Sequence, residues 1–278
     1  MRVIDTEHLG RRRVIGCWEV DGVLVDPGPE STLATVLAGL EPDFAPRAIL
    51  LTHIHFDHAG AAGALVKRWP EVPVYVHEVG APHLADPAKL VKSATRLYGE
   101  EGMQRLWGAV TPVPQDNLHV LAGGETVLDA FRVAYTPGHA SHHVSYLHEP
   151  TGTALVGDVA GVRIPPADLV AAPTPPPDVD VDAWNASLDE IAGWDPQRLA
   201  LTHFGEVNED IPGHLERVRE ALDEEIERTG RLTLEEFVVS QIAMLEEHTD
   251  LETAQVYAQA LPPDHIWLGL DRWRSKTQ

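Results

Sequence analysis

Apolar positions along the first two hundred residues recur mainly with strand spacing, and those beyond residue 205 with helical spacing. The runs Arg13–Val20 and Gly22–Asp26 flank Asp21-Gly22, which predicts a hairpin. Leu33, Val36, Leu37 and Leu40 predict a helix over Ser31–Leu40 with Ser31 as its N-cap. A strand is expected over 47–52, a helix over Gly60–Trp69 stopped by Pro70, and a strand over Val72–His77. Residues 78–117 read as an irregular helical stretch that either folds over the mouth of a site or packs on a sheet face. Short strands follow near 118–121, 126–135, 144–148 and 153–157. Six prolines make Pro165–Pro177 a loop. Val181–Gly193 reads as a helix and Leu199–His203 as the last strand.

Beyond Gly205, Leu215, Val218, Leu222 and Ile226 form an apolar stripe on a charged helix. Thr233–Glu236 and Thr249–Glu252 both match the capping box, which predicts helices over about 234–247 and 250–261. Ile266–Trp273 is apolar enough to need a cover, either this chain's own domain or a second copy of the chain in a homodimer. The division expected is a domain over 1–205 and a helical appendage over 206–278.

The strand at 47–52 ends in His53-Ile54-His55-Phe56-Asp57-His58. Residues two apart on an extended backbone point the same way, so His53 and His55 can grip one metal ion. Asp57 and His58 then turn away and can hold a second. Three more ligand types end apolar runs downstream: His139 in Thr136-Pro137-Gly138-His139, Asp158 in Gly157-Asp158, and His203 in Thr202-His203. Imidazole and carboxylate together accept zinc, iron or manganese.

This set, over roughly residues 1–205, resembles the metallo-β-lactamase superfamily. The resemblance implies an α/β fold, an αββα metallo-β-lactamase sandwich with a C-terminal helical appendage, and a dinuclear site. It implies that His53, His55 and His139 hold one ion, that Asp57, His58 and His203 hold the other, and that Asp158 bridges them. Asp26, before Pro27-Gly28, matches an aspartate that supports the site from outside the ligand set, and is also a plain turn aspartate. His142 and His143 lie beside the third ligand; as the family uses the first histidine after Thr-Pro-Gly, they are read as hydrogen-bonding or pocket residues. The cofactors implied are two divalent ions, zinc first, with iron or manganese also accepted. The activity implied is hydrolysis of an acyl bond, a thioester or lactone in a small molecule, by a metal-bridging hydroxide, with Asp57 and Asp158 as the catalytic carboxylates.

Composition narrows the choice. Forty-three acidic against 21 basic residues give a net charge of −22, which opposes nucleic acid as a partner. No apolar run approaches the ~20 residues a membrane span needs, and no signal peptide is read. One cysteine, Cys17, cannot form an internal disulfide, and a cytoplasmic location is expected. Asp158 stands where zinc β-lactamases lack an aspartate, which argues against that role, and His55 argues against the flavodiiron branch. Arg163 is the only Lys or Arg in 140–170, so the glutathione-binding pattern of glyoxalase II is missing. The residues directly after Asp158, Val159-Ala160-Gly161-Val162, hold no tyrosine, unlike acyl-homoserine lactonases. The alternative reading is a mononuclear-iron persulfide dioxygenase, and after it a phosphodiesterase or nuclease.

Overall fold

In the computed structural model, which describes residues 1–277, the chain divides into two compact units, Met1–Glu125 and Thr126–Gln278. The first unit contains β1 (Arg2–Asp5), β2 (Gly16–Val20), β3 (Val23–Val25), α1 (Leu33–Ala38), β4 (Ala48–Leu50), α2 (Phe56–Ala59), α3 (Ala62–Arg68), β5 (Val74–His77), α4 (Ala81–Ala85), α5 (Ala88–Leu106) and β6 (Leu118–Leu121). Its six strands form one mixed sheet in sequence order: β1, β2 and β3 pair antiparallel, and β3 to β6 pair parallel. The hairpin turns as expected, with Asp21 and Gly22 both at positive φ (50° and 78°). Leu24, Ile49, Leu65, Val74 and Val76 build the core between this sheet and its helices.

The second unit contains β7 (Thr126–Val127), β8 (Phe131–Tyr135), β9 (Val144–His148), β10 (Thr153–Gly157), α6 (Val181–Gly193), β11 (Arg198–Leu201), β12 (Gly205–Val207), α7 (Ile211–Arg231), α8 (Leu234–His248), α9 (Leu251–Ala260) and α10 (Pro263–Thr277). Its sheet runs β12-β11-β10-β9-β8-β7, with β10 and β11 parallel and the other pairs antiparallel. Trp184 and Leu188 of α6 and Leu215, Val218 and Leu222 of α7 cover it, packed on Ala154, Val156, Leu199 and Leu201. The C-terminal helices thus belong to the same compact unit as the second sheet.

Several expectations are corrected. Ser31 does not cap α1; its hydroxyl donates to the Leu106 carbonyl at 2.7 Å, and the helix starts at Leu33 after a short 3-10 turn. The run 126–135 is two strands, because Leu128 and Asp129 adopt positive φ (55° and 56°) and turn the chain. Two strands were not anticipated: β1 and β12 are short edge strands of three or four residues, too brief for a period to register. The capping box at Thr233 and Glu236 forms as expected, but α9 is capped by Asp250, whose carboxylate accepts from the Thr253 N–H, so Thr249 only ends α8. The apolar tail forms α10 and buries Ile266, Gly269 and Leu270 within its own chain.

Candidate metal centre

In the first sheet Val25 of β3 stands beside Leu50 of the parallel β4. The chain therefore leaves both strands at the same edge, which brings Asp26 to Thr52. Asp26 is fully buried with φ 48°, a conformation aspartate tolerates. Its carboxylate accepts from the Thr52 N–H (2.8 Å), from the Thr52 hydroxyl (2.7 Å) and from His58 Nδ1 (2.8 Å). A carboxylate cannot donate, so the His58 proton sits on Nδ1 and the lone pair on Nε2. Thr52 spends its one hydroxyl proton on Asp26, so its oxygen accepts from His53 Nδ1 (3.1 Å), which places the His53 lone pair on Nε2. Asp26 thereby orients His58 directly and His53 through Thr52.

His53 Nε2 lies 3.0 Å from His55 Nδ1, and His58 Nε2 lies 3.9 Å from an Asp57 oxygen. His53 and His58 also offer ligand atoms within 4.8 Å of each other. His55 sits at the N-cap of α2 with extended backbone, so Asp57 and His58 fall in the first turn of that helix. The first unit thus brings together Asp26, His53, His55, Asp57 and His58.

In the second unit β8, β10 and β11 run in the same direction, so Thr136, Asp158 and Thr202-His203 leave the sheet at one edge. Each oxygen of Asp158 faces a different imidazole: Oδ2 is 3.4 Å from His139 Nε2 and Oδ1 is 3.6 Å from His203 Nε2. His139 Nδ1 donates to the Pro173 carbonyl at 2.7 Å, which leaves its lone pair on Nε2, towards Asp158. His143 is buried and accepts the Asp158 N–H on Nε2 (3.3 Å), while Nδ1 contacts the Thr136 hydroxyl (3.0 Å). His142 is buried as well.

Do these residues suit a metal? Two donor atoms about 2.0–2.1 Å from a tetrahedral ion lie roughly 3.3 Å apart. The donor separations within each unit, 3.0, 3.4, 3.6 and 3.9 Å, bracket that distance. The donors are imidazole and carboxylate, the set that zinc, iron and manganese accept. Cys17 is no part of it: it is buried in β2, where desolvation and the nearby Asp26 push its thiol pKa far up. The donor set fits a divalent metal.

Pattern reading did not find Thr52, Pro173 or Trp184. Trp184 sets its ring edge-on to His139 at 5.8 Å and donates from its indole to the Val159 carbonyl. Thr52 could have been suspected from its place directly before His53, whereas a backbone carbonyl such as that of Pro173 carries no side-chain signal.

The metallo-beta-lactamase superfamily model matches residues 19–203, which include every one of these donors, and the chain belongs to that superfamily. The expected fold class, the αββα metallo-β-lactamase type with added C-terminal helices, is the fold of this chain. The crystal structure of the archaeal superfamily protein ST1585 from Sulfolobus tokodaii matches with a TM-score of 0.73, at 22% identity, over 99% of this chain and 98% of that one. A probable metallo-hydrolase of Bacillus subtilis, YqgX, is 34% identical over 49% of this chain and 60% of its own length. A hydroxyacylglutathione hydrolase of Yersinia enterocolitica is 33% identical over 46% of this chain and 39% of its own length. The chain therefore spans less than two thirds of either curated relative. No helix among the described residues is long and apolar enough to cross a membrane.

Proposed function

We infer that the two donor sets serve one dinuclear centre, and that the chain hydrolyses an acyl bond, a thioester or lactone, in a small molecule. One observation carries this reading: Asp158 turns one oxygen to His139 and the other to His203, the disposition of a carboxylate shared between two ions. His53, His55 and His139 would hold one ion, and Asp57, His58 and His203 the other. Two bound divalent ions supply Lewis acidity and lower the pKa of a water towards neutrality. The protein's own part is orientation. Asp26 and Thr52 fix the tautomers of His58 and His53, Pro173 fixes that of His139, and His143 holds the backbone of Asp158. Asp57, partly exposed beside His58, would orient the attacking water as well as hold metal.

The partial match to a hydroxyacylglutathione hydrolase supports an acyl substrate. The net charge of −22 favours a small, uncharged or moderately apolar one over a nucleic acid. Zinc suits the donor set first, with iron or manganese accepted, and a cytoplasmic location accords with the single cysteine, which has no disulfide partner in the chain.

The test is a panel of thioesters, lactones, phosphodiesters and β-lactams with metal-replete protein, alongside elemental analysis. Two ions per chain and turnover of thioesters or lactones are expected, and Asp158→Ala should lower the metal content sharply. Turnover of phosphodiesters alone, or one iron per chain with oxygen consumption on a persulfide, would replace this reading by one of its alternatives.

A further inference from the structure

The C-terminal helices reach the metal centre through a loop. Residues 162–177 follow soon after Asp158, and α7, α9 and α10 hold them at Ile164, Leu169, Ala172, Thr174 and Pro177. Tyr257 of α9 accepts the Ile164 N–H on its hydroxyl oxygen (2.9 Å) and donates the hydroxyl proton to the Leu169 carbonyl. The Ala172 N–H donates to the buried carboxylate of Glu225 on α7. The hydroxyl of Thr174, fully buried, donates to the Ile266 carbonyl at 3.3 Å. Arg272 and Lys276 of α10 both donate to the Pro177 carbonyl, at 3.2 and 3.1 Å.

The tightest of these contacts is made by a residue with no side chain. Gly269 of α10 lies so close to the loop that a β-carbon built on it would stand 1.8 Å from the Thr174 carbonyl oxygen and 2.9 Å from the Pro175 carbonyl carbon. Only glycine lets α10 seat there. The neighbouring carbonyl, that of Pro173, accepts the proton of His139 Nδ1 at 2.7 Å. One peptide unit thus separates the helix contact from the hydrogen bond that sets the tautomer and ring orientation of a ligand.

We propose that Gly269 and Thr174 are positioning residues of the metal centre: seating α10 on the loop aims the Pro173 carbonyl at His139 and so sets the affinity of the ion that His139 holds. This rests on the assignment of His139 as a ligand. It makes the appendage part of the centre, although no ligand lies beyond residue 203. Partners that orient a metal-bound histidine typically account for about 10- to 100-fold in metal affinity. Loss of the seat should therefore weaken one ion and spare the other.

The experiment titrates metal-free protein with cobalt(II), following its visible absorption, and competes the ions off with a chromophoric chelator. Wild type, His139→Ala, His58→Ala, Gly269→Ala, Thr174→Val and Thr174→Ser are compared, with near-ultraviolet circular dichroism as the check on folding. His139→Ala and His58→Ala should each abolish a different step of the titration. Gly269→Ala should weaken the His139 step about tenfold and leave the His58 step alone. Thr174→Val should do the same more mildly, and Thr174→Ser should restore the wild-type curve. If Gly269→Ala fails to fold, the Thr174 pair carries the comparison. A folded Gly269→Ala and Thr174→Val that titrate as wild type, while His139→Ala loses a step, overturn the proposal and leave the ligand assignment standing. A His139→Ala that loses no step removes the assignment, and the proposal with it.

Discussion

His214 shows how little a histidine's identity says about its role. It is fully buried on α7 and donates from Nε2 to the Ala160 carbonyl at 2.9 Å. Burial pushes its pKa from 6.5 down to about 4, against a smaller upward pull from that hydrogen bond. The folded protein therefore holds this ring neutral, while the unfolded chain takes up a proton near 6.5. Stability is fully present above that value and is lost as the pH falls from 6.5 through about 4. The shift corresponds to roughly 3 kcal/mol as an order of magnitude. Urea unfolding at a series of pH values should show wild type losing stability across this window. His214→Gln, whose amide can still donate but does not titrate, should lose much less there. Equal losses in the two proteins would mean that other groups govern acid unfolding. Asp26 is the opposite case. It reads both as a turn aspartate and as a support of the site from outside the ligand set, and in the structure it stands at positive φ and accepts from Thr52 and His58.

Among the elements, α6 explains the glycine of Thr136-Pro137-Gly138-His139. Gly138 has φ 137°, and a β-carbon there would lie 2.4 Å from Cα of Trp184. The helix closes on this turn through Ser187, whose hydroxyl donates to the Pro137 carbonyl at 2.6 Å, and through the Asp180 N–H to the Gly138 carbonyl at 2.9 Å. Gly138→Ala therefore strains the backbone and displaces α6 together. It should cost at least about 2 kcal/mol and lower metal content, since His139 is the next residue. A variant with wild-type melting and metal content would show that the turn adapts. On α7 the expected stripe is met at Leu215, Val218 and Leu222, but Glu225 is buried where Ile226 was expected, and Ile226 is only half-buried. The exchange follows from the Ala172 N–H, which needs an acceptor at that point of the helix.

For the whole molecule the net charge of −22 is the dominant long-range term. Like charges repel most in the compact state, and added salt screens them over about 8–10 Å at 0.10–0.15 M. The melting temperature should rise when sodium chloride goes from 10 mM to about 0.3 M, a change that calorimetry reads directly. A flat or falling profile would show that ion pairs such as Arg219–Asp189 and Arg163–Asp168 already compensate the excess locally.

What sequence alone determined here is what depends on near neighbours. The hairpin at Asp21-Gly22, α6 and the Thr233 capping box are each specified by a few consecutive residues, and each formed where it was read. The three distant ligand candidates were legible because each ends an apolar run. What tertiary structure decided is who meets whom across long stretches of chain. It gave Asp26 to Thr52 and His58, the Pro173 carbonyl to His139, and α10 to the proline-rich loop. Backbone carbonyls and glycine contacts leave no mark in side-chain periodicity, because their partners are chosen by the packing of whole elements.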